Sequence, residues 1–329
     1  MPHVSPPPHL VQRFGANLAA LQPAQGPIGI AFSGGPDSLA LLLLAGAACP
    51  GEVHAATVDH QLRAGSAQEA ALAASVCNSQ SVPHTVLPVD VATGASVQAM
   101  AREARYRALA AWMAENGIRT LLTAHHLDDQ AETLMMRLLR GSGIGGLACI
   151  RARRPLVASG ELRILRPLLG WRRAELAEIA AASGFRAVAD PSNADEAFDR
   201  VRVRRMLAET PTLDPVALAR SAAALADAED ALETSTAYWF SRCVEQHGDH
   251  LLVHPVELPA ELRRRLFLRC LLHHTPTAQP RGEQVSDALH ALDSGGAGTL
   301  AGVKFSGANG AWRIEAAPPR RLARNDSSP

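Results

Sequence analysis

The chain has 329 residues, 47% of them hydrophobic and 19% charged, which excludes a disordered or fibrous protein and leaves material for one large or two smaller domains. Lys+Arg and Asp+Glu each number 32, so a uniformly basic nucleic-acid binder is excluded while local basic patches are not. Aromatic residues at 4% argue against a surface built mainly on base stacking, and Lys304, the only lysine, lies in no GxxxxGK[ST] run, which excludes a Walker-type P-loop.

The five cysteines (Cys49, Cys77, Cys149, Cys243, Cys270) form no CxxC pair, a pattern that fits reduced thiols. The start of the sequence shows neither a basic n-region nor an apolar h-region, and the longest apolar run, Leu39 to Cys49, has 11 residues. The expectation is a cytoplasmic protein with no membrane partner.

In chain order, residues 1–25 read as a Pro-containing lead with a short amphipathic helix. Ile28–Phe32 reads as a buried strand, and the turn Ser33–Asp37 leads into an apolar helix, Ser38–Ala48. Strand Val53–Val58, helix Ser66–Ser79, strand His84–Val89, helix Val97–Asn116, strand Thr120–Ala124 and helix Leu127–Arg140 follow. This alternation predicts an α/β fold with a doubly wound parallel sheet, in which ligands sit beyond the carboxyl ends of the strands. Leu127, Ala131, Leu134, Met135 and Leu138 are the expected buried stripe of the last of these helices. Val97, Met100, Ala101, Ala104, Ala108 and Trp112 are that of the long one.

Gly141–Gly146 is a glycine-rich loop, and from Arg140 to Glu175 eight arginines face two glutamates. A helix Arg172–Ser183, a polar segment Asp190–Arg200 and the basic run Arg200–Arg205 come next. Pro211–Pro215 reads as a linker, residues 216–275 as helical, and Thr299–Glu315 as a β-hairpin turning at Gly307–Gly310. The expected domains are therefore 26–210, catalytic, after the 1–25 lead, and 216–329, a smaller, mostly helical domain ending in the hairpin.

Ser33-Gly34-Gly35-Pro36-Asp37-Ser38 lies between a buried strand and a helix. Its glycines let the backbone turn tightly, and its N–H groups, two hydroxyls and the helix N-terminus make a cradle for pyrophosphate. Asp37 would repel a bare phosphate and fits if it holds Mg²⁺ bound to the phosphates. A capped Gly-rich turn is the alternative for the tripeptide alone. His125, His126, Asp129 and Glu132 lie at and after the fourth strand's end. Paired carboxylates could bind an ammonium and help remove its proton, or merely favour a helix N-terminus.

The loop resembles that of the N-type ATP pyrophosphatases, or PP-loop family, of adenine nucleotide alpha hydrolase-like fold. Val58–Arg63, Ala101–Tyr106, His125–Thr133, Arg140–Leu147, Arg166–Leu169, and Asp190–Asp195 with Arg200 follow in that order. They are similar to the successive motifs of the tRNA(Ile)-lysidine synthases, densely over residues 26–207. The resemblance implies ATP-dependent joining of L-lysine to C2 of the wobble cytidine in CAU-anticodon tRNA(Ile), through an adenylated intermediate, with release of AMP and pyrophosphate.

The resemblance also implies ATP and Mg²⁺ at residues 33–38, with Asp59 and His60 as candidates for adenosine contacts, a turn cap being their alternative. It implies lysine contacts from Asp129, Glu132, Arg105 and one of Arg200 or Arg202. It further implies a histidine, 125 or 126, near the adenylation centre. Arg151, Arg153, Arg154, Arg172, Arg173, Arg204 and Arg205 are the expected footprint of the tRNA backbone, and a homodimer is a further expectation. Val201 stands where the family usually has asparagine. Longer members carry a further C-terminal domain, so tRNA discrimination is expected to fall on 216–329. A tRNA thiolase, an amidating synthetase and a non-catalytic nucleotide-binding protein are the competing readings.

Overall fold

The structure is a computed structural model that describes residues 4–61, 65–90, 97–157, 159–188, 199–255 and 257–318, without the side chains of 97–99. The chain forms two units, Met1–Ala226 and Asp227–Pro329. The first contains α1 (Pro8–Ala20), β1 (Ile28–Ala31), α2 (Pro36–Ala48), β2 (Val53–Asp59), α3 (Ser66–Ser79), β3 (His84–Pro88), α4 (Val97–Glu115) and β4 (Thr120–Leu122). It continues with α5 (Leu127–Leu138), α6 (Ile144–Leu147), β5 (Arg153–Pro155), β6 (Arg163–Leu165), α7 (Arg173–Ala182) and α8 (Asp199–Glu209). Helix α9 spans Pro215–Cys243.

The first sheet has the order β3-β2-β1-β4-β6-β5, parallel throughout except for β5, which pairs antiparallel with β6 at one edge. Ile28 of β1 pairs with Val53 on one side and Thr120 on the other, and Thr120 pairs in turn with Arg163. Both faces are covered. Leu122 belongs to a core with Phe14 and Leu18 of α1, the leucines of α2, and Trp171, Leu176 and Ile179. Its neighbour Leu121 points the other way, into a core with Leu109, Trp112 and Met113 of α4, as the two-residue period of a strand requires. Helix α2 is buried at every position from Ser38 to Ala45, which explains its unbroken apolar sequence. Among the described residues no helix is long and apolar enough to cross a membrane.

Several expectations are corrected. Leu138 is 48% exposed and Met100 41%, so the stripes of α5 and α4 end sooner than the periodicity implied. Leu109 and Met113, outside the expected stripe of α4, are fully buried. Strands β5 and β6 and the short α6 lie in the arginine-rich segment, for which no elements were expected before Arg172.

The second unit departs further. Residues 216–275 are not helical throughout: β7 (Val244–His247) and β8 (His250–Val253) intervene before α10 (Ala260–His274) and α11 (Gly282–Asp293). The expected hairpin is part of a five-stranded antiparallel sheet, β7-β8-β11-β10-β9, with β9 at Ala297–Leu300, β10 at Val303–Ala308 and β11 at Ala311–Ala316. One side of that sheet closes over Phe267, Leu271, Val285 and Leu292 of the two helices, with Phe305 and Trp312 edge-on to Phe267. Within this unit Arg265, only 6% exposed, is held by Glu229, Glu233 and Glu261.

Candidate active site

The Ser33–Ser38 loop leaves the carboxyl end of β1 and enters α2 with Pro36 in its first turn. Gly34 has φ +77°, where a Cβ would stand 2.9 Å from Val188 Cγ2, and its carbonyl accepts the Val188 N–H at 2.9 Å. Only glycine satisfies both the left-handed backbone and that close approach. The Ser38 hydroxyl receives the Ser33 N–H at 3.3 Å, lies 3.1 Å from the Ser33 hydroxyl and donates to the Gly35 carbonyl at 3.0 Å. The loop is thus pinned from inside by the two serines of the motif.

Asp37 follows in the first turn of α2. Its Oδ1 is buried with no hydrogen-bond partner among the described residues, and its Oδ2 lies 3.6 Å from His126 Nε2. An orphaned carboxylate oxygen beside an anion cradle is the donor a phosphate-bound cation requires. Among the described residues no three His, Cys, Asp or Glu side chains converge as a closed metal site.

His126 and Asp129 build the start of α5 reciprocally. His126 Nδ1 accepts the Asp129 N–H at 3.3 Å, and Asp129 Oδ2 accepts the His126 N–H at 3.0 Å, closing a capping box. The His126 Nε2 faces Asp37 and also accepts from Arg173 Nε at 3.4 Å, which ties α7 to the same ring.

Glu132, one turn further, has a side chain 2% exposed that meets three guanidinium groups. Arg200 Nε donates to it at 2.7 Å, Arg204 Nε at 2.8 Å and Arg173 Nη2 at 3.1 Å. Burial works to raise its pKa, but the hydrogen bonds from Arg204 and Arg200 outweigh that and hold the carboxyl below the usual range. Arg200 Nη2 also donates to Asp129 at 2.9 Å. Asp37, Asp129 and Glu132 are matched in number by Arg173, Arg200 and Arg204, which balances charge at the mouth of the loop.

His125 sits apart from this network. Its Nδ1 is 2.9 Å from the Thr123 hydroxyl and accepts from Arg166 Nε at 3.3 Å. Burial, then the charges of Arg166 and Arg200, push its pKa down to about 3, so the ring is neutral at pH 7 with its proton on Nε2.

The other candidate residues take these places. Arg105 of α4 reaches across to His60, just past the end of β2, donating to its Nε2 at 3.3 and 3.2 Å, and forms no bond to Asp129 or Glu132. His60 Nδ1 is buried without a partner, and burial and the Arg105 charge lower the His60 pKa. Asp59 accepts the Gln61 N–H at 2.9 Å, a turn cap. Arg202 bonds Asp199 on its own helix while Arg200 reaches the carboxylates. Of the arginines expected on the RNA surface, Arg173 and Arg204 turn inward to Glu132. Arg172 bonds Asp128 at 3.2 Å, Arg205 pairs with Glu209 at 2.7 Å, and Arg151 donates to the Ala226 carbonyl at 2.8 Å. Arg153 is exposed on β5, and Arg154 lies 5.2 Å from the centroid of the Tyr106 ring. The Asp190–Asp195 motif lies outside the described residues. Arg166, read from sequence only as part of a family motif and of the general arginine-rich RNA footprint, stands at the carboxyl end of β6, two strands from the loop.

Comparison with known proteins gives this geometry its family. A model of the PP-loop domain matches residues 9–210. A tRNA(Ile)-lysidine synthase of Novosphingobium aromaticivorans is 46% identical over 313 residues, 95% of either chain. One of Zymomonas mobilis is 43% identical over 92% of either chain. A solved U34-tRNA thiolase of Methanococcus maripaludis, with its [4Fe-4S] cluster, aligns at TM-score 0.56 over 67% of this chain and 78% of its own. At 16% identity that likeness is one of fold alone. A pinned pyrophosphate loop beside a histidine-capped helix, in a sequence that follows these relatives nearly end to end, has one reading: the chain belongs to the tRNA(Ile)-lysidine synthase family.

Proposed function

We propose that this chain joins L-lysine to C2 of the wobble cytidine of CAU-anticodon tRNA(Ile) at the expense of ATP, through an adenylated base, releasing AMP and pyrophosphate. The observation that carries the reading is that the Ser33–Ser38 cradle, with its orphaned Asp37 oxygen, meets the Asp129–Glu132 pair at His126, whose Nε2 lies 3.6 Å from Asp37 and 3.7 Å from Asp129.

The N–H groups of the loop, the Ser33 and Ser38 hydroxyls and the α2 N-terminus receive the pyrophosphate portion of ATP. Asp37 fits Mg²⁺, which when bound offsets phosphate charge and favours pyrophosphate as the leaving group. His60, at the end of β2, offers its Nδ1 to the adenosine side. The neutral His125 offers an Nε2–H as donor to charge that develops during transfer.

Asp129 and Glu132 receive the lysine ammonium. Because Arg173, Arg200 and Arg204 are 32–40% exposed, they can yield a hydrogen bond to the incoming cation and turn toward water. Glu132, held low in pKa, is a better anchor than base. The amine, with an ordinary pKa of about 10.4, must be neutral to attack, and the guanidinium charges of Arg173, Arg200 and Arg204 beside the carboxylates disfavour its protonated form.

The thiolase reading needs a thiolate of lowered pKa or a cysteine cluster. Burial instead pushes Cys77 and Cys270 up to about 12 and Cys149 to about 11.

The test is AMP release from ATP with a CAU-anticodon tRNA(Ile) transcript, with and without L-lysine, followed by nucleoside mass analysis. Lysine-dependent AMP and a lysine-sized mass gain on cytidine are expected. AMP release that ignores lysine, or that needs sulfur or ammonia, refutes the reading.

A further inference from the structure

The arginines of the first unit divide into two kinds. Arg172, Arg173, Arg200 and Arg204 each meet a carboxylate. Arg102, Arg154 and Arg166 meet none: among the described residues they form no ion pair.

These three gather around Tyr106 of α4. Arg102 Cζ lies 5.0 Å and Arg154 Cζ 5.2 Å from the ring centroid, and the Tyr106 hydroxyl lies near Arg166. Arg166 is only 4% exposed, and its bonds go to neutral acceptors, His125 Nδ1 and the Arg151 carbonyl. Arg154 Nε is buried with no partner. A buried guanidinium without an anion costs free energy unless something compensates it. The same positive charge helps to force His125 neutral.

The place of the cluster narrows what it can hold. Across the carboxyl edge of the sheet, β2 presents His60, β1 the phosphate loop, β4 His125 and β6 Arg166. Arg166 therefore stands two strand spacings, about 10 Å, beyond the loop, on the side opposite His60. From there the cluster opens outward, through half-buried Arg154 on edge strand β5 to exposed Arg153 and Arg102. A free amino acid brings one carboxylate and its own ammonium. A polynucleotide brings one negative charge per linkage and passes from surface to interior. Guanidinium groups resting on an aromatic ring keep their N–H edges for phosphate oxygens.

We propose that Arg102, Arg154 and Arg166, braced by Tyr106, form a phosphodiester seat that grips the RNA backbone beside the nucleotide being modified. The proposal rests on the reading that the substrate is a tRNA, and it assigns a specific backbone contact to residues that reading leaves without a role or gives only a general one.

The test couples a protein change to an RNA change. Arg102→Gln and Arg154→Gln alter side chains that reach the surface, so folding is preserved. The probe is a CAU-anticodon stem–loop carrying a neutral methylphosphonate on one or the other side of nucleotide 34. For the wild type, one of the two neutral linkages should weaken binding about tenfold, as loss of a charge-assisted hydrogen bond does. It should also reduce the salt slope by about 0.7. Each variant should bind the unmodified stem–loop about tenfold more weakly and lose nothing further with the neutral linkage, its KM for L-lysine unchanged.

Losses that simply add overturn the seat. So does a raised KM for L-lysine with RNA affinity intact, which would give the cluster to the amino-acid carboxylate. A wild type that modifies the RNA but ignores both methylphosphonates overturns the seat alone. A wild type that neither binds nor modifies any CAU stem–loop overturns the tRNA reading and the seat with it.

Discussion

Glu132 is the charge on which α5, α7 and α8 converge, and its replacement by glutamine measures what that convergence contributes. The substitution keeps the volume of a side chain that is 2% exposed but removes the charge facing Arg173, Arg200 and Arg204. It also turns an amide NH₂ toward one of those guanidinium groups. Removing one partner of a fully buried ion pair costs about 3–5 kcal/mol. Here the arginines are 32–40% exposed and can rotate toward water, which reduces the expected loss to about 2–3 kcal/mol. In a unit of this size that corresponds to a Tm lower by about 5–10 °C. Because the folded-state pKa of Glu132 is depressed, its stabilisation is present above the unfolded value and is lost as pH falls through the folded one. Thermal unfolding of wild type and Glu132→Gln should therefore show a constant gap from pH 8 to about 5 that narrows below about 4.3. A gap under about 1 °C at neutral pH, or one that does not narrow in acid, refutes the account of Glu132 as a charge that binds three helices.

Asp37→Asn should bind nucleotide yet release AMP at least about 100-fold more slowly, with a weakened Mg²⁺ dependence; wild-type turnover would remove Asp37 from the metal role. Gly34→Ala places a methyl group 2.9 Å from Val188 Cγ2 in a left-handed backbone, so Tm should fall in step with a loss of about 1–2 kcal/mol. ATP affinity, read by calorimetry, should fall with it, and an unchanged Tm would contradict the loop geometry. The NMR signals of His125 should show no inflection between pH 8 and 5, since its pKa is pushed down to about 3. The unfolded chain takes up that proton first, so His125 removes stability as pH falls below about 6.5, and an inflection near neutrality would refute its burial among arginines.

Much of the first unit was legible because strand and helix alternate with distinct periods, and because the Ser33–Ser38 motif falls where a parallel sheet binds ligands. The limits are equally physical. Val244–His247 and His250–Val253 are four-residue strands between two helices, too short for alternation to show, and only the pairing of the first with the second, and of the second with β11, makes them strands. The stripes of α4 and α5 were misjudged at Met100 and Leu138 because periodicity tells which residues share a face, not where the covering element stops. In the site, Asp129 and Glu132 could be paired from their spacing on one helix. The ties from Glu132 to Arg173 and Arg204 span 41 and 72 residues, a separation that no local pattern encodes. For the same reason Arg173 and Arg204 read from sequence as surface charge.

Every cation that borders the carboxylates and His125 is an arginine, and the only lysine, Lys304, is engaged with Glu315 on the second sheet at 3.1 Å. An adenylated base is an electrophile that waits for an amine. A lysine side chain among these guanidinium groups would lose its proton easily and compete as a nucleophile, forming a C–N bond at the activated ring carbon as AMP leaves and so tying the RNA to the enzyme. A guanidinium with a pKa above about 12 stays protonated and has no lone pair to offer. The arginine wall thus supplies positive charge while remaining chemically mute, so that the one amine within reach of the activated cytidine is the one that arrives from solution.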